Sequence, residues 1–248
     1  RAAAPASAAR VERMVADWRR ERQQANEHHL READFLDLMR GRIELGGTVN
    51  TGNTDNIGLA ASMDLKREGL VVRHKFRVQA EYQESLGVAT RERYLASWEP
   101  NYKIDEHSYF YSALQFESDR FSGYDERYSA SVGAGRTAIR NREMTLALEL
   151  GPAYRRTIFT DGTAQSNFAA RGSLDFDWRL SPGITFSQDA SAYLQDANST
   201  VSSKSALRAR LFGPLSAQLS YQLQFESDPP SAREHTDTTT RAALVFDF

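Results

Sequence analysis

The chemistry open to this chain is bounded first by five histidines and the absence of cysteine. Without cysteine there is no thiolate nucleophile, no disulfide framework and no zinc–cysteine site. His28 and His29 fall in a polar, helix-favouring stretch, His107 at an expected tight turn, and His74 on the apolar phase of a strand. Only His235 has company, with Glu234, Asp237 and Ser231 close in sequence. A Ser–His pair needs the base held against the hydroxyl by a third group, and a polar loop supplies no such preorganisation. A solvated loop is the plainer reading, and an outer-membrane hydrolase ranks a distant third among the functions considered. Asp119, Asp125 and Glu126 could share a surface cation, but the twelve-residue calcium-loop spacing is missing. Acidic tips of this kind serve solubility or ions that bridge lipopolysaccharide. Gly133-Ala-Gly135 lies within a strand and precedes no helix, so it is no phosphate loop. No catalytic residue, metal site or cofactor is expected, and the chain reads as a non-enzyme.

What positions the remaining charges is an alternation. From Leu215 to Glu226 the odd positions read Leu, Ala, Leu, Tyr, Leu, Phe and the even ones Ser, Gln, Ser, Gln, Gln, Glu. From Phe168 to Leu180 apolar residues likewise alternate with Arg171, Ser173, Asp175, Asp177 and Arg179. Soluble strands run to about 5–6 residues, whereas a strand crossing a bilayer takes about 9–11. Such segments recur at 42–50, 57–67, 70–84, 92–104, 107–119, 127–139, 143–155, 167–180, 184–195, 200–211, 215–227 and 237–248. Tight connections such as Glu68-Gly69, Ser181-Pro182-Gly183 and Gly213-Pro214 alternate with longer ones such as Thr51–Asn56, Ser85–Arg91 and Arg156–Ser166. An even number of strands with short turns at one end and long loops at the other is the layout of an outer-membrane barrel. With the short turns given to the periplasm, the apolar-face aromatics fall at two levels. Tyr82, Tyr94, Phe116, Tyr128, Tyr154, Phe168 and Phe225 mark the outer one; Tyr102, Phe110, Trp178, Phe186, Phe246 and Phe248 mark the inner one. Amphipathic rings gather at the two membrane–water boundaries in this way. The expected fold is therefore all-β, a transmembrane antiparallel up-and-down barrel of 12 strands preceded by an α-helical segment.

Composition agrees. The chain has 248 residues, 31 Lys+Arg against 33 Asp+Glu and a formal net charge of −2. That balance argues against a nucleic-acid partner, and no apolar run approaches the roughly 20 residues of a membrane helix. The opening Arg1-Ala-Ala-Ala-Pro-Ala-Ser-Ala-Ala has neither methionine nor an apolar signal core and reads as a mature or trimmed terminus. Residues 1–42, with 9 Arg, 7 Asp+Glu and no lysine, form an N-terminal periplasmic extension; residues 43–248 form the barrel. Helix is expected from Ala8 to Met39. Val11, Met14, Val15 and Trp18 make an apolar stripe at helical spacing, and Phe35, Leu36 and Met39 a second cluster. The segment could dock a protein partner, thread the lumen, rest on the inner membrane boundary, or be disordered without its partner. Docking of a periplasmic or membrane partner is favoured, because a polar lumen would not satisfy the stripe.

The end of the chain, Thr238-Thr-Thr-Arg-Ala-Ala-Leu-Val-Phe-Asp-Phe248, places Leu244, Phe246 and Phe248 on one face. It resembles the signal by which outer-membrane proteins are handed to the barrel-assembly machinery. Together with Thr51-Gly-Asn-Thr-Asp, Asp119-Arg-Phe-Ser-Gly-Tyr-Asp125, Gly151-Pro-Ala-Tyr-Arg155 and Phe186-Ser-Gln-Asp189, it resembles the domain-of-unknown-function 481 family over about residues 43–248. Members of that family are often labelled salt-stress-induced outer-membrane proteins of Gram-negative bacteria. The resemblance implies an outer-membrane barrel in contact with lipid and lipopolysaccharide, and no established activity. Expected lumen-lining residues include Arg73, Lys75, Arg77, Glu99, Glu117, Glu149, Arg171, Asp175, Asp177, Arg179, Arg208, Arg210 and Arg241. They form either a pore whose basic tracks favour anions or a network of paired charges that closes a narrow barrel; twelve strands lie between filled and open barrels. The first functional expectation is a structural or partner-binding envelope component, and the alternative is a narrow channel for small solutes, anionic ones among them.

Overall fold

The computed structural model describes residues 5–34, 37–51, 56–85, 88–196, 198–229 and 234–248. One helix, α1 (Pro5–Glu32), precedes twelve strands. These are β1 (Met39–Thr51), β2 (Asn56–Glu68), β3 (Val72–Ser85), β4 (Val88–Lys103), β5 (Ser108–Asp119) and β6 (Tyr124–Arg140). They continue as β7 (Met144–Phe159), β8 (Ala164–Ser181), β9 (Ile184–Leu194), β10 (Thr200–Phe212), β11 (Leu215–Glu226) and β12 (Thr236–Asp247). Every strand pairs antiparallel with its sequence neighbours, and β1 pairs with β12, so the sheet closes into a barrel. Closure removes the unpaired edges that lipid could not satisfy. At the seam the Gly41 and Phe248 backbones exchange hydrogen bonds of 2.7 and 2.9 Å. The Phe248 ring occupies the space a Cβ at residue 41 would need, so a larger residue there would have to push the ring aside.

The alternation places polar side chains inside and apolar ones outside. Glu44, Glu81, Asn101, Glu117, Arg127, Glu149, Arg155 and Arg241 are all buried. Leu59, Leu150 and Phe168 are 74%, 69% and 83% exposed. A protein in water would reverse this distribution; a barrel whose solvent is hydrocarbon requires it. The aromatic levels lie on the outer wall, with the Phe116 ring tilted against Tyr128 (5.3 Å between centroids) and Tyr154 edge-on to Phe168 (5.6 Å).

Two details differ from the sequence expectation. The connection expected at 156–166 is a hairpin, because β7 runs on to Phe159, β8 starts at Ala164, and Gly162 (φ +81°) turns the chain between them. Similarly β4 begins at Val88. The strands therefore overhang the aromatic level at the long-loop rim, where backbone pairing persists without any need for an apolar face. The second difference is the helix, which stops at Glu32. A turn follows in which the Asp37 N–H donates to the Asp34 carbonyl. Met39, expected with the helix cluster, is the first residue of β1, where it shares the outward phase of Ile43 and Leu45.

Candidate functional site

The candidate site is the barrel interior, and its side chains arrive there by strand parity alone. On β3 odd residues point inward, so Arg73, Lys75, Arg77 and Glu81 share one track; on β8 the odd residues Arg171, Asp175, Asp177 and Arg179 do the same. Register then fixes which tracks meet. Near the short-turn rim, Glu68 gathers Arg73 (2.7 Å), Lys103 (2.5 Å) and Lys66 (3.4 Å). Asp247 holds Arg42 (2.7 Å) and Arg208 (3.5 Å), and Arg77 pairs with Asp64 (2.5 Å). These side chains are partly wet: Arg77 is 49% and Asp247 43% exposed.

Mid-barrel pairs cross the interior. Lys75 on β3 reaches Glu99 (2.7 Å), Asp175 (3.3 Å) and Glu149 (3.8 Å), so one ammonium joins strands on nearly opposite sides of the barrel. Arg171 closes the same knot through Glu149 (2.9 Å) and Glu99 (3.4 Å), while Ser173 and Tyr109 donate to Glu149 at 2.8 and 3.0 Å. Glu44 takes Lys204 and Arg241, each at 3.5 Å, and the Gln218 amide at 2.9 Å.

Toward the long-loop rim the interior is packed. Arg241 and Arg91 both pair with Glu81, Arg93 pairs with Glu117 (3.2 Å), and Arg127 crosses to Glu226 (3.3 Å). Arg155 donates to Ser129 (3.2 Å) and Thr200 (3.0 Å). Guanidinium groups also lie over rings: Arg127 over Tyr124 at 3.7 Å and Arg155 over Tyr193 at 4.0 Å. All of these charged residues are buried. A charge taken out of water survives only when paired and hydrogen-bonded; here opposite charges supply that pairing for all but Arg155, which two hydroxyls and the Tyr193 ring hold.

The expected lumen residues thus lie on inward phases, with a difference of emphasis. The basic track Arg73–Lys75–Arg77 is neutralised, each member holding a carboxylate. Asp177, Arg179 and Arg210 are exposed near the short-turn rim. Sequence reasoning overlooked Arg91, Arg93 and Arg127, and the inward tyrosines Tyr109, Tyr111, Tyr124 and Tyr193. The tyrosines sit on the charged phase of their strands, which was the available signal. Tyr109 is seated against Gly135, where a Cβ would collide with its ring.

The other candidates are separately engaged. The His235 ring nitrogen is 3.0 Å from the Glu226 carbonyl and stacks on Phe225; Ser231 lies outside the described residues. Asp119 accepts from the Ser122 N–H (2.9 Å), Asp125 pairs with Arg120 (2.9 Å), and Glu126 accepts from Tyr128 (3.0 Å). Each of these three carboxylates has a separate protein partner. On α1, Val11, Met14, Val15 and Trp18 are 41–65% exposed, and Arg22 covers the Trp18 ring at 4.5 Å. Among the described residues α1 makes no extended contact with a strand. Phe35 and Leu36 lie outside the described residues. Leu244 and Phe246 face outward from β12.

A family profile described as protein of unknown function, DUF481, matches residues 43–248. The chain belongs to this family. The DUF481 match coincides with the barrel and leaves out α1. The uncharacterized protein YdiY of Escherichia coli K12 is 25% identical over 207 residues, covering 83% of this chain and 82% of that one. Among solved structures, a NanC porin superposes with a TM-score of 0.57 at 10% identity, over 82% of this chain and 98% of that one. The translocator domain of the autotransporter NalP from Neisseria meningitidis gives 0.50 at 10% identity, over 94% and 96%. An outer-membrane channel from Pseudomonas putida F1 gives 0.50 at 10% identity, over 87% and 100%. This DUF481 protein is an outer-membrane β-barrel.

Proposed function

We propose that the protein is a closed outer-membrane barrel that anchors its N-terminal helix in the periplasm as a docking element for a protein partner. The observation that carries this reading is the set of buried ion pairs in the long-loop half of the lumen: Arg241–Glu81 and Arg127–Glu226 join strands that are not neighbours, and Arg93–Glu117 fills the wall between them. Ions passing through would have to displace these pairs from one another. With the short turns and both chain ends on the periplasmic side, the partly wet half of the interior opens inward and the packed half faces outward. The exposed stripe Val11–Met14–Val15–Trp18 then stands in the periplasm at a spacing suited to a groove in another protein. The apolar wall contacts lipid, the long-loop rim contacts lipopolysaccharide, and Leu244, Phe246 and Phe248 serve the assembly machinery.

The full-length protein in a planar bilayer tests the reading: electrical silence is expected. Met14→Ala with Trp18→Ala should leave barrel assembly intact and reduce cross-linking of the helix to its partner in membranes. Stepwise conductance rising with salt would replace the anchor by a narrow channel. Two observations favour that second reading. Arg179 and Arg210 make no ion pair among the described residues and leave positive charge at the inner mouth, and the NanC and Pseudomonas putida neighbours are a porin and a channel.

A further inference from the structure

One sector of the outer wall breaks the apolar rule. Gln188 pairs in register with Ser205, Ser205 with Tyr221, and Tyr221 with Thr240. These four lipid-facing residues form one polar row across β9–β12. On the β9 side the row runs into Phe176 and then Leu146. Across the barrel the row Met63, Val78 and Ala96 carries no polar side-chain atom. Within the polar row, the Gln188 amide donates to Ser203 at 2.8 Å and the Ser205 hydroxyl donates to Gln188. The Tyr221 and Thr240 hydroxyls have no protein partner among the described residues. Beside the row lies a shallow groove of about 190 Å³ between Phe186, Leu207, Leu219 and Tyr221.

We propose that this wall is the contact between two copies of the chain in the membrane. Acyl chains offer no hydrogen bonds, so the Tyr221 and Thr240 hydroxyls, which no described protein group meets, are left unsatisfied against them at a cost. A protein surface with matching groups removes the cost, and amides and hydroxyls hydrogen-bond across membrane interfaces in this way. A second copy supplies the match automatically. A two-fold axis along the membrane normal brings each depth of one wall against the same depth of the other. Every group in the row both donates and accepts, so the row is complementary to itself. Because barrel strands tilt, the two rows cross, and the crossing falls at their middle, on Ser205 and Tyr221. Leu207 and Leu219 of each copy then face the groove of the other.

The absence of cysteine makes the test direct. Ser205→Cys and, on the far wall, Val78→Cys are each oxidised in native outer membranes and run on denaturing gels. A band at twice the monomer mass is expected for Ser205→Cys and not for Val78→Cys. In mild detergent the unmodified protein should run as a dimer, shifting to monomer in the Gln188→Leu, Ser205→Leu double variant, with the heat-dependent gel shift of a folded barrel retained. Equal cross-linking of both cysteine variants, or of neither, overturns the proposal. So does a monomer that co-purifies with a lipid lost on Ser205→Leu.

Discussion

Replacing Arg241 by alanine tests whether the crossing pairs hold the barrel shut. Arg241 is 3% exposed and joins Glu81 on β3 and Glu44 on β1 from its place on β12. Its partners are 1% and 4% exposed, so the truncation removes one cation from each of two carboxylates that water does not reach. Breaking a buried pair by removing one member costs about 3–5 kcal/mol. Here Glu81 keeps Arg91 at 3.1 Å and the Gln79 amide at 2.6 Å, while Glu44 keeps Lys204 and Gln218. The expected loss is therefore at the lower end, about 3 kcal/mol. The exposed pair Arg120–Asp125, 68% and 38% exposed, is the comparison, and Arg120→Ala should cost about 0–1 kcal/mol. Urea unfolding in lipid vesicles, followed by tryptophan fluorescence, measures both. A bilayer recording of Arg241→Ala should also show brief openings that the unaltered barrel lacks, since the gap left by the guanidinium admits water to the packed half. Equal, small losses from the two substitutions would refute the argument, because the interior pairs would then behave like surface ones.

Leu174→Arg should destabilise the inserted barrel by about 2–4 kcal/mol, as a cation does in mid-bilayer, whereas Ser173→Arg enters the lumen beside Glu149 and should be much milder; the same urea titration distinguishes them. Gly135→Val should cost about 1–3 kcal/mol by forcing the Tyr109 ring out of its seat, and the Tyr109→Ala, Gly135→Val double variant should recover part of that loss. Hydrogen bonds from the His107 and Ser108 N–H groups, each 2.7 Å, hold the Asp105 carboxyl below the usual carboxylate range. Because the folded value is the lower one, this turn's contribution is complete above the unfolded pKa and is lost as pH falls through the folded one. An NMR titration of Asp105 that returns an ordinary carboxylate value would contradict it.

Most of the barrel was legible because its solvent imposes a period of two along each strand, broken near the strand ends where the register shifts. The segment expected at 215–227 reads as a strand from side-chain types alone and is β11, which ends one residue earlier, at Glu226. The ends of β7 and β8 were not legible in that way. Past Tyr154 and before Phe168 the wall meets water, so Arg156 and Gln165 can occupy outward-phase and inward-phase sites with no apolar partner to mark the phase. The lumen split similarly. Parity tells which charges point inward, yet Lys75 and Asp175 are 100 residues apart, and only the closed register brings them together. That is why a basic track in sequence became a neutral knot in space. The helix boundary was misplaced because Leu38 and Met39 fit both a helical cluster and the start of an alternating strand. Pairing with β2 decides the matter for Met39.

The seam between β1 and β12 sets an order of events. Arg42 and Asp247, which meet there, are separated by 205 positions, so the first strand to be made must wait for the last. Contacts this remote in sequence are slow to form, because a long loop has to close before they repay it. Until the Gly41–Phe248 hydrogen bonds lock, the inward guanidinium and carboxylate groups face an open trough and keep their hydration. Closing the cylinder and stripping that water from the packed half are then a single step, and the Gly41–Phe248 pair at the seam is the latch that commits that half to dryness.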